Sequence, residues 1–439
     1  MTPDTPLHAV AGHPILHSRS PRLFAAAYGG TSAAAPYTRL AARSAEEIIR
    51  LVDELHLTGI NVTAPYKQSI VPLVPDAAPA VRALGAANTI TRQGDRLTAH
   101  NTDIDGVTGA LSAAGITPRG LPCLVLGAGG AGSAAALALR DAGARVTIAN
   151  RTADRATALA TLLGCAAAPV DASLPGLVAA SAIIVNTLPA GVDLLREQWI
   201  DPRHVILDAI YRDSPLAPRA ARRRARYIPG LDWLLHQAIP SYRLLTGAEP
   251  DREAMETLLS LPPPLPPHIA LVGPAGAGKT TIARLLADAT RLPLADTDRE
   301  IERCAGQTVP RLIATGGERA FRDLELQTLR DLLDRPDPRV ISCGGGIVTL
   351  PEARQILRAR ATVIWLHATP EDCVERIDVT TRPLLLSTGD TPLAAATTLY
   401  ERRKPLYTAT AGLVVDTTKR DPLQITKIIH EEINTCIRG

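Results

Sequence analysis

Five prolines within six residues separate two glycine-rich loops in this chain. Residues 261–268 read Leu-Pro-Pro-Pro-Leu-Pro-Pro-His. Proline fixes φ and lacks an amide hydrogen, so this run is excluded from helices and central strands and should form an extended polyproline II spacer. One loop, residues 127–132, precedes the spacer, and the other, residues 273–280, follows it. Because both are of the kind that holds phosphates, the chain is predicted to join two catalytic units at the spacer.

The spacer also leads to an expectation about how the two units sit. Six residues of polyproline span about 19 Å, at ~3.1 Å per residue. We therefore expect residues 261–267 to hold the halves apart rather than packed together. Neither half should complete the other's site, and fragments 1–262 and 266–439 should each fold and work alone.

Composition excludes several functional classes. A chain of 439 residues can hold two or three domains, and a net charge of +3 does not suggest a nucleic-acid binder. The basic run 219–226 is interpreted as a solvated helix face. Six cysteines without a Cys-x-x-Cys pair indicate reduced thiols in the cytoplasm. The N-terminus lacks the pattern of a signal peptide, and no apolar run is long enough for a membrane span.

The first 105 residues alternate strand-like and helical patterns, which is typical of an α/β domain. Ser44 and Glu47 have the spacing of a capping box, and apolar residues then follow at helical intervals. Four polar clusters lie near the ends of predicted elements, at residues 17–21, 61–67, 87–89 and 101–103. Each alone has an ordinary structural interpretation as a cap, a turn or a surface residue.

Together, in this order and ahead of a dinucleotide loop, the four clusters resemble the substrate domain of shikimate dehydrogenases. The resemblance implies that Lys67 and Asp103 form the catalytic pair. Hydride reduction of a ketone leaves negative charge on oxygen, which a lysine can stabilise and protonate while an aspartate orients it. His17 is the alternative acid, but a packing or hydrogen-bonding role is favoured for it. The residues implied to bind substrate are Ser18, Ser20, Thr63, Asn88 and Gln237. The chain departs from the family at Phe24 and Ala25, where His-Asn is usual.

Residues 121–149 have the pattern strand, glycine loop, alanine-rich helix from 133 to about 142, and second strand. In that context the glycine pattern predicts a dinucleotide-binding βαβ unit. Arginines at the end of the second strand, where NAD sites usually carry an acid, favour NADP. The residues predicted to bind it are Gly127, Ala128, Gly129, Gly130, Ala131, Gly132, Asn150, Arg151, Thr152, Arg155 and Gly230. By resemblance Tyr211 faces the nicotinamide and substrate, Trp233 replaces a methionine of the family, and the helix after Gln237 returns to the first domain.

After the spacer, residues 269–272 form a predicted strand that enters Gly-x-x-x-x-Gly-Lys-Thr, and a helix follows. A P-loop in this context binds a nucleoside triphosphate, with the lysine on the β- and γ-phosphates and the threonine on Mg²⁺. The residues predicted to bind ATP are Gly273, Gly276, Ala277, Gly278, Lys279, Thr280 and Thr281.

Further motifs at 296–298, 317–325, 343–346, 382–385 and 403–407 resemble shikimate kinase. The resemblance implies that Asp296 joins Thr280 at Mg²⁺ and that Asp298 takes the proton of the acceptor hydroxyl. Arg382, in a lid motif, would neutralise charge on the moving phosphoryl group. The residues implied to bind the acceptor are Arg322, Gly344, Gly345, Gly346 and Arg403. Arg376 is left out of the predicted site.

The predicted fold is α/β throughout: an α/β substrate domain and a Rossmann NADP-binding domain, then a P-loop kinase domain with a parallel sheet. The predicted ranges are 1–105, completed by about 237–260, then 106–236, the linker 261–267, and 268–439. The implied reactions are NADPH-dependent reduction of 3-dehydroshikimate to shikimate and phosphorylation of shikimate by ATP and Mg²⁺. The alternatives are a quinate/shikimate dehydrogenase of mixed cofactor use and a kinase-like domain that only senses nucleotide.

Overall fold

The computed structural model describes residues 6–29, 35–263, 266–377 and 391–437, and these ranges contain two β-sheets. One sheet has eleven strands and the other has six. No helix within these ranges combines the length and the apolar character needed to cross a bilayer.

The first part of the chain supplies six strands of the large sheet, in the order β2-β1-β3-β5-β6-β4. The strands are β1 (His8–Gly12), β2 (Tyr37–Ala41), β3 (Gly59–Val62), β4 (Asp76–Ala77), β5 (Thr89–Gln93) and β6 (Arg96–His100). The helices are α1 (Ser20–Ala27), α2 (Ala45–Glu54), α3 (Pro79–Leu84) and α4 (Asp103–Ala113). The predicted cap of α2 is confirmed, because the Ser44 hydroxyl accepts from the Glu47 amide at 3.2 Å.

The six-stranded sheet has the order β12-β11-β10-β7-β8-β9, and all its strands are parallel. This is the doubly wound order of dinucleotide-binding folds, with the change of direction between β7 and β10. Its strands are β7 (Pro122–Leu126), β8 (Arg145–Asn150), β9 (Ala166–Pro169), β10 (Ile183–Asn186), β11 (Val205–Asp208) and β12 (Arg226–Ile228). The accompanying helices are α5 (Gly130–Asp141), α6 (Ala153–Leu163), α7 (Leu174–Ala180), α8 (Leu216–Arg222), α9 (Gly230–Thr246) and α10 (Arg252–Ser260).

Helices α9 and α10 pack against the first part of the chain. Met255 and Leu259 of α10 are buried in one cluster with Leu23 and Phe24 of α1. The Arg19 guanidinium donates to carbonyl oxygens at the end of α10 and at the start of the spacer, including Leu261 O at 2.6 Å. The described spacer residues form neither helix nor strand, as the prolines require.

The last part of the chain forms a parallel five-stranded order, β14-β15-β13-β16-β17. Its strands are β13 (His268–Val272), β14 (Leu294–Asp296), β15 (Val340–Ser342), β16 (Ala361–His367) and β17 (Leu413–Asp416). Its helices are α11 (Lys279–Thr290), α12 (Thr297–Ala305), α13 (Val309–Leu333), α14 (Pro351–Arg360), α15 (Pro370–Glu375), α16 (Pro392–Thr410) and α17 (Pro422–Ile437). Helix α13 bends at Gly317, whose φ of 80° is not helical.

The two halves share one sheet, so the expectation that the spacer holds them apart is wrong. Strand β17 pairs in parallel with β2, with Val414 opposite Leu40. A single buried cluster contains side chains from both halves, among them Ile48 of α2 and Trp365 of β16. The spacer length only limits how far apart the halves can be. Two strands that would otherwise be edges gain hydrogen bonds and burial when they meet.

Candidate active sites

Lys67 and Asp103 meet at the mouth of the first cleft. Lys67 follows β3 and Asp103 opens α4, and the Lys67 Nζ donates to Asp103 Oδ2 at 2.6 Å. The Asp103 side chain is 2% exposed and that of Lys67 is 14% exposed. A buried carboxylate beside a nearly buried ammonium holds that ammonium in one direction, as the predicted pair requires.

An amide network forms the floor of this cleft. Asn88 Nδ2 donates to Gln237 Oε1 at 3.1 Å and to Thr102 Oγ1 at 3.0 Å, while its Oδ1 accepts from the Thr102 amide at 2.8 Å. Asn61 Nδ2 donates to Ser241 Oγ at 2.7 Å. The prediction did not include Asn61, Thr102 or Ser241. Ser241 lies four residues after Gln237 on α9, and this helical spacing could have identified it.

Ser18, Ser20 and Thr63 line the same cleft, together with Lys67, Asn88, Tyr211 and Gln237. All the residues predicted to bind this substrate are therefore brought together. Ser18 Oγ donates to Ser20 Oγ at 3.3 Å. Phe24, which departs from the family pattern, is 1% exposed and forms part of the wall.

His17 also lines the cleft, with its ring centroid 6.5 Å from that of Tyr211. Burial lowers the pKa of His17, so the imidazole is neutral at neutral pH.

Trp233 is buried against Gly106 of α4 and does not line the cleft.

Gly127, Gly130 and Gly132 of the first loop are required by backbone conformation or by close contacts. Gly127 has a φ of +116°, and a Cβ on Gly132 would lie 2.2 Å from the Gly127 carbonyl oxygen. A Cβ on Gly130 would lie 2.8 Å from the Lys67 Cβ. The loop therefore lies directly against the lysine, which brings the dinucleotide and substrate sites together.

The remaining predicted cofactor residues surround this loop. Asn150 Oδ1 accepts from the Ala128 amide at 3.3 Å, which fixes the end of β8 to the loop. Arg151, Thr152 and Arg155 are exposed just beyond β8. Gly129 faces open space, and Ala131 lies in the first turn of α5. A Cβ on Gly230 would lie 2.8 Å from the carbonyl oxygen of Asp208, at the end of β11.

The second loop carries its own lysine. Lys279 Nζ donates to the carbonyl oxygens of Gly273 and Pro274, both at 2.9 Å. A Cβ on Gly276 would lie 2.3 Å from the Cys373 carbonyl oxygen, so larger residues are excluded. The predicted residues Gly276, Ala277, Gly278, Lys279, Thr280 and Thr281 line one cleft.

Thr280 and Asp296 form a group of oxygen atoms beside this loop. Thr280 Oγ1 donates to Asp296 Oδ2 at 3.1 Å, and Ser342 Oγ is 3.4 Å from Thr280 Oγ1. Mg²⁺ takes oxygen ligands, usually one or two from protein together with phosphate oxygens and water. The hydroxyl and carboxylate present therefore fit the ion predicted here.

A second cleft of this half contains the predicted acceptor residues. Arg322 Nη1 donates to Glu325 Oε2 at 2.6 Å, and a Cβ on Gly346 would lie 2.3 Å from Arg322 Nη2. A Cβ on Gly344 would clash with Glu325 and approach Asp298 Oδ1 to 2.9 Å. Burial raises the pKa of Glu325, and the Asp298 charge adds to this, although the nearby Arg322 opposes both.

The two clefts of this half adjoin at Asp298, Gly344 and Gly345, which line both. The Gly345 carbonyl oxygen accepts from Tyr407 OH at 2.6 Å and from Arg403 Nη1 at 3.3 Å. Arg382 lies outside the described residues. Arg376, which the prediction left out, lines the nucleotide cleft and donates to Thr417 O at 2.9 Å.

Family models match both halves of the chain. The shikimate dehydrogenase substrate-binding domain matches residues 10–90, shikimate/quinate 5-dehydrogenase matches 116–202, and shikimate kinase matches 275–434. The NADP⁺ shikimate dehydrogenase of Moorella thermoacetica is 34% identical over an alignment of 274 residues, and the alignment covers 58% of this chain and 93% of that protein. The chain belongs to the shikimate dehydrogenase family in its first part and to the shikimate kinase family in its second. The predicted fusion is confirmed.

Solved structures agree with the fold of the first part. Shikimate dehydrogenase from Thermus thermophilus, in complex with NADP(H) and shikimate, aligns with a TM-score of 0.52 at 32% identity. That alignment covers 58% of this chain and 98% of the other. Quinate dehydrogenase from Corynebacterium glutamicum, in complex with NAD, aligns with a TM-score of 0.54 at 26% identity, covering 58% and 98%. Because a quinate enzyme with NAD and a shikimate enzyme with NADP(H) both share this fold, the fold does not distinguish quinate from shikimate or NAD from NADP. The residues that line the site must make that distinction.

Proposed function

We propose that this chain reduces 3-dehydroshikimate to shikimate with NADPH and then phosphorylates shikimate with ATP and Mg²⁺. The observation that carries the proposal is the presence of two separate sites in one chain. One pairs Lys67 with Asp103 against a dinucleotide loop, and the other pairs an acceptor cleft with a P-loop. The product of the first reaction is the substrate of the second.

In the dehydrogenase site, Ser18 and Ser20 bind the substrate carboxylate, and Thr63, Asn88 and Gln237 bind its hydroxyls. Lys67 stabilises the oxygen that gains charge when hydride arrives, and it supplies the proton. Asp103 holds the Lys67 ammonium directed into the cleft. NADPH would supply the hydride, Arg151 and Arg155 would hold its 2′-phosphate, and Tyr211 would lie beside the nicotinamide.

In the kinase site, Arg322 and Arg403 bind the acceptor carboxylate, and residues 344–346 allow the ring to approach the backbone. Asp298, shared by both clefts, orients the acceptor hydroxyl and takes its proton. Lys279 and Arg382 neutralise charge on the phosphates. Mg²⁺ would be held by Thr280 and Asp296 and would screen the charge of the β- and γ-phosphates.

The same proposal includes the domain ranges predicted above and a cytoplasmic location. Strands β1 to β6 and β7 to β12 lie in different sheets, which supports the division near residue 105, and the packing of α9 and α10 against α1 supports the return near residue 237. Six unpaired cysteines support a reducing compartment. Small molecules are the only partners proposed.

A coupled assay tests both reactions at once. The chain is incubated with 3-dehydroshikimate, NADPH, ATP and Mg²⁺, and products are identified by mass spectrometry. Shikimate 3-phosphate should form. The Lys279→Ala variant should stop at shikimate, and Lys67→Ala should leave 3-dehydroshikimate unchanged. Parallel assays with quinate and with NAD⁺ identify the alternative: comparable rates with either would contradict the proposed specificity, and absence of phosphoryl transfer would favour a nucleotide-sensing domain.

A further inference from the structure

A glutamate of the kinase half lies under the substrate loop of the dehydrogenase half. Glu432, on α17, is fully buried. Its Oε2 accepts from the amides of Ile15 and Leu16, both at 2.7 Å, and its Oε1 is 3.0 Å from His13 Nδ1. These three residues lie within the loop between β1 and α1, which also carries Ser18 and leads directly into Ser20, the first residue of α1.

These bonds decide where the loop runs. Two consecutive amides directed at one carboxylate are a charge-assisted arrangement that fixes the backbone on both sides of Ile15. Ile15 itself is fully buried, so its amide cannot turn to water. Ser18 follows within a tight turn, since its amide donates to the Ile15 carbonyl at 2.9 Å. The position of the Ser18 hydroxyl therefore depends on the position of Ile15.

The kinase half also contacts the side chain that holds Ser18. Arg39 of β2 donates through Nε and Nη2 to the Ser18 carbonyl oxygen, at 3.1 and 2.6 Å. Its Nη1 donates to the carbonyl oxygen of Gly412, just before β17, at 3.0 Å. Burial lowers the pKa of Arg39 only to about 10, so the guanidinium remains charged at neutral pH. Gly412 thus helps to set the direction in which Arg39 holds Ser18.

The end of α17 also contacts the dinucleotide-binding half of the dehydrogenase. Arg212 donates to the carbonyl oxygens of Thr435 and Cys436, at 3.2 and 3.4 Å. A cation at a helix C-terminus satisfies carbonyl groups that have no partner within the helix. Arg212 directly follows Tyr211, which lines the substrate cleft. One helix of the kinase thus contacts both walls of the dehydrogenase cleft.

We propose that Glu432, a residue of the kinase half, is a positioning residue for the dehydrogenase reaction. Through the amides of Ile15 and Leu16 it holds Ser18 and Ser20 where they bind the substrate carboxylate. The last turns of α17 are therefore part of the dehydrogenase site, although the P-loop half of the chain encodes them. The inference rests on the dehydrogenase activity proposed above.

The test uses the full chain and the variants Glu432→Ala and Glu432→Gln. Shikimate oxidation with NADP⁺ is measured in the parent first. Absence of this activity in the parent would contradict the proposed function, whereas an active parent whose KM is unaffected by the Glu432 variants would contradict only the role of Glu432. The KM for shikimate should rise about tenfold in Glu432→Ala, because two amides lose a charged acceptor. Glu432→Gln keeps one acceptor oxygen and should show a smaller rise. KM for NADP⁺ and both kinase KM values should stay within about twofold, since those sites are separate.

Glu431→Gln is the matched control. Glu431 is the preceding residue and its Oε2 also contacts His13, at Nε2, but it accepts from neither loop amide. The Glu431→Gln variant should leave the KM for shikimate unchanged. An unchanged KM in folded Glu432→Ala overturns the proposal. An equal loss of dehydrogenase and kinase activity in that variant also overturns it, because this would indicate a structural role alone.

Arg212→Gln keeps the test decisive if neither Glu432 variant folds, since Arg212 is partly exposed and its replacement leaves no buried cavity. This variant should raise the KM for shikimate about threefold, because the charge-assisted contacts of Arg212 with Thr435 and Cys436 of α17 are lost. An unchanged KM for shikimate in Arg212→Gln would mean that α17 does not set the geometry of the cleft.

Discussion

The two glycine-rich loops differ in where their lysine comes from. Lys279 belongs to the P-loop itself and contacts the loop carbonyls, so that site is assembled within a few residues. Lys67 lies 60 residues before Gly127 and reaches the first loop only because β3 and the loop face each other across a cleft. A site that is built from one loop depends on local sequence. A site that is built across a cleft depends on the relative positions of the two domains that form the cleft.

The largest effect should come from removing each lysine. Lys67→Ala should lower dehydrogenase kcat by roughly 10²–10⁴-fold, the range of a positioned acid, while kinase rates stay near those of the parent. Lys279→Ala should do the opposite, because it removes the cation on the phosphates. Steady-state assays of both reactions on each variant measure this. Dehydrogenase activity of Lys67→Ala within a few-fold of the parent would contradict its assignment.

Within the kinase half, acceptor and nucleotide binding should separate. Arg322→Ala should raise the KM for shikimate by about 10- to 100-fold, because a charge-assisted hydrogen bond contributes roughly 1.5–3 kcal/mol. ATP affinity should change little, since Arg322 lines the acceptor cleft and not the P-loop. Arg319→Ala, an exposed arginine on the same helix, is the control. Loss of ATP binding with shikimate binding retained would reverse the assignment.

Cofactor choice should depend on the two arginines beyond β8. Replacing Arg151 and Arg155 together with alanine should raise the KM for NADPH about tenfold and change that for NADH little, because only NADPH carries the 2′-phosphate. The exposed Arg145, at the start of the same strand, provides the matched control. Equal changes for the two cofactors would show that neither arginine contacts the phosphate.

The smallest effect should be on the pH dependence of stability, through the contact of His13 with Glu431 and Glu432 between the two halves. The hydrogen bond with Glu432 raises the pKa of His13 above 6.5, with Glu431 adding to this and Arg43 opposing it. A raised folded-state pKa gives stability that is complete below pH 6.5 and is lost as pH rises through the folded value. The contribution should stay below about 1 kcal/mol, because His13 is partly exposed to solvent.

Unfolding free energies of the full chain between pH 5.5 and 8, by about half-unit steps, measure this effect. His13→Gln should flatten the profile, and His56→Asn, at an exposed position, should not. If the unfolding free energy of His13→Gln depends on pH as that of the parent does, the contact of His13 with Glu432 does not contribute to stability.

Local motifs made most of the site predictable. The P-loop, the dinucleotide loop and the pairing of Lys67 with Asp103 follow from residue types at fixed positions near element ends, and the structure brings these residues together. Asn61 and Ser241 were missed because their contact joins β3 to α9 across 180 residues, and the amino acids themselves are ordinary strand-end and helix residues. Arg376 resembles a lid arginine but stands one residue too close to Arg382, so it was left out of the predicted site, whereas the structure places it in the nucleotide cleft.

The amino-acid sequence alone determined that this chain has two phosphate-binding loops, two sets of substrate residues and a stiff connection between them. These properties depend on φ restrictions, side-chain chemistry and short spacings, which are encoded locally. Only the tertiary structure decided that β17 pairs with β2 and that Glu432 lies beneath Ile15 and Leu16. A strand edge and a buried carboxylate pair with groups that complement their shape and their unsatisfied hydrogen bonds, even when hundreds of residues separate the partners in sequence. The length of the spacer does not determine which groups pair.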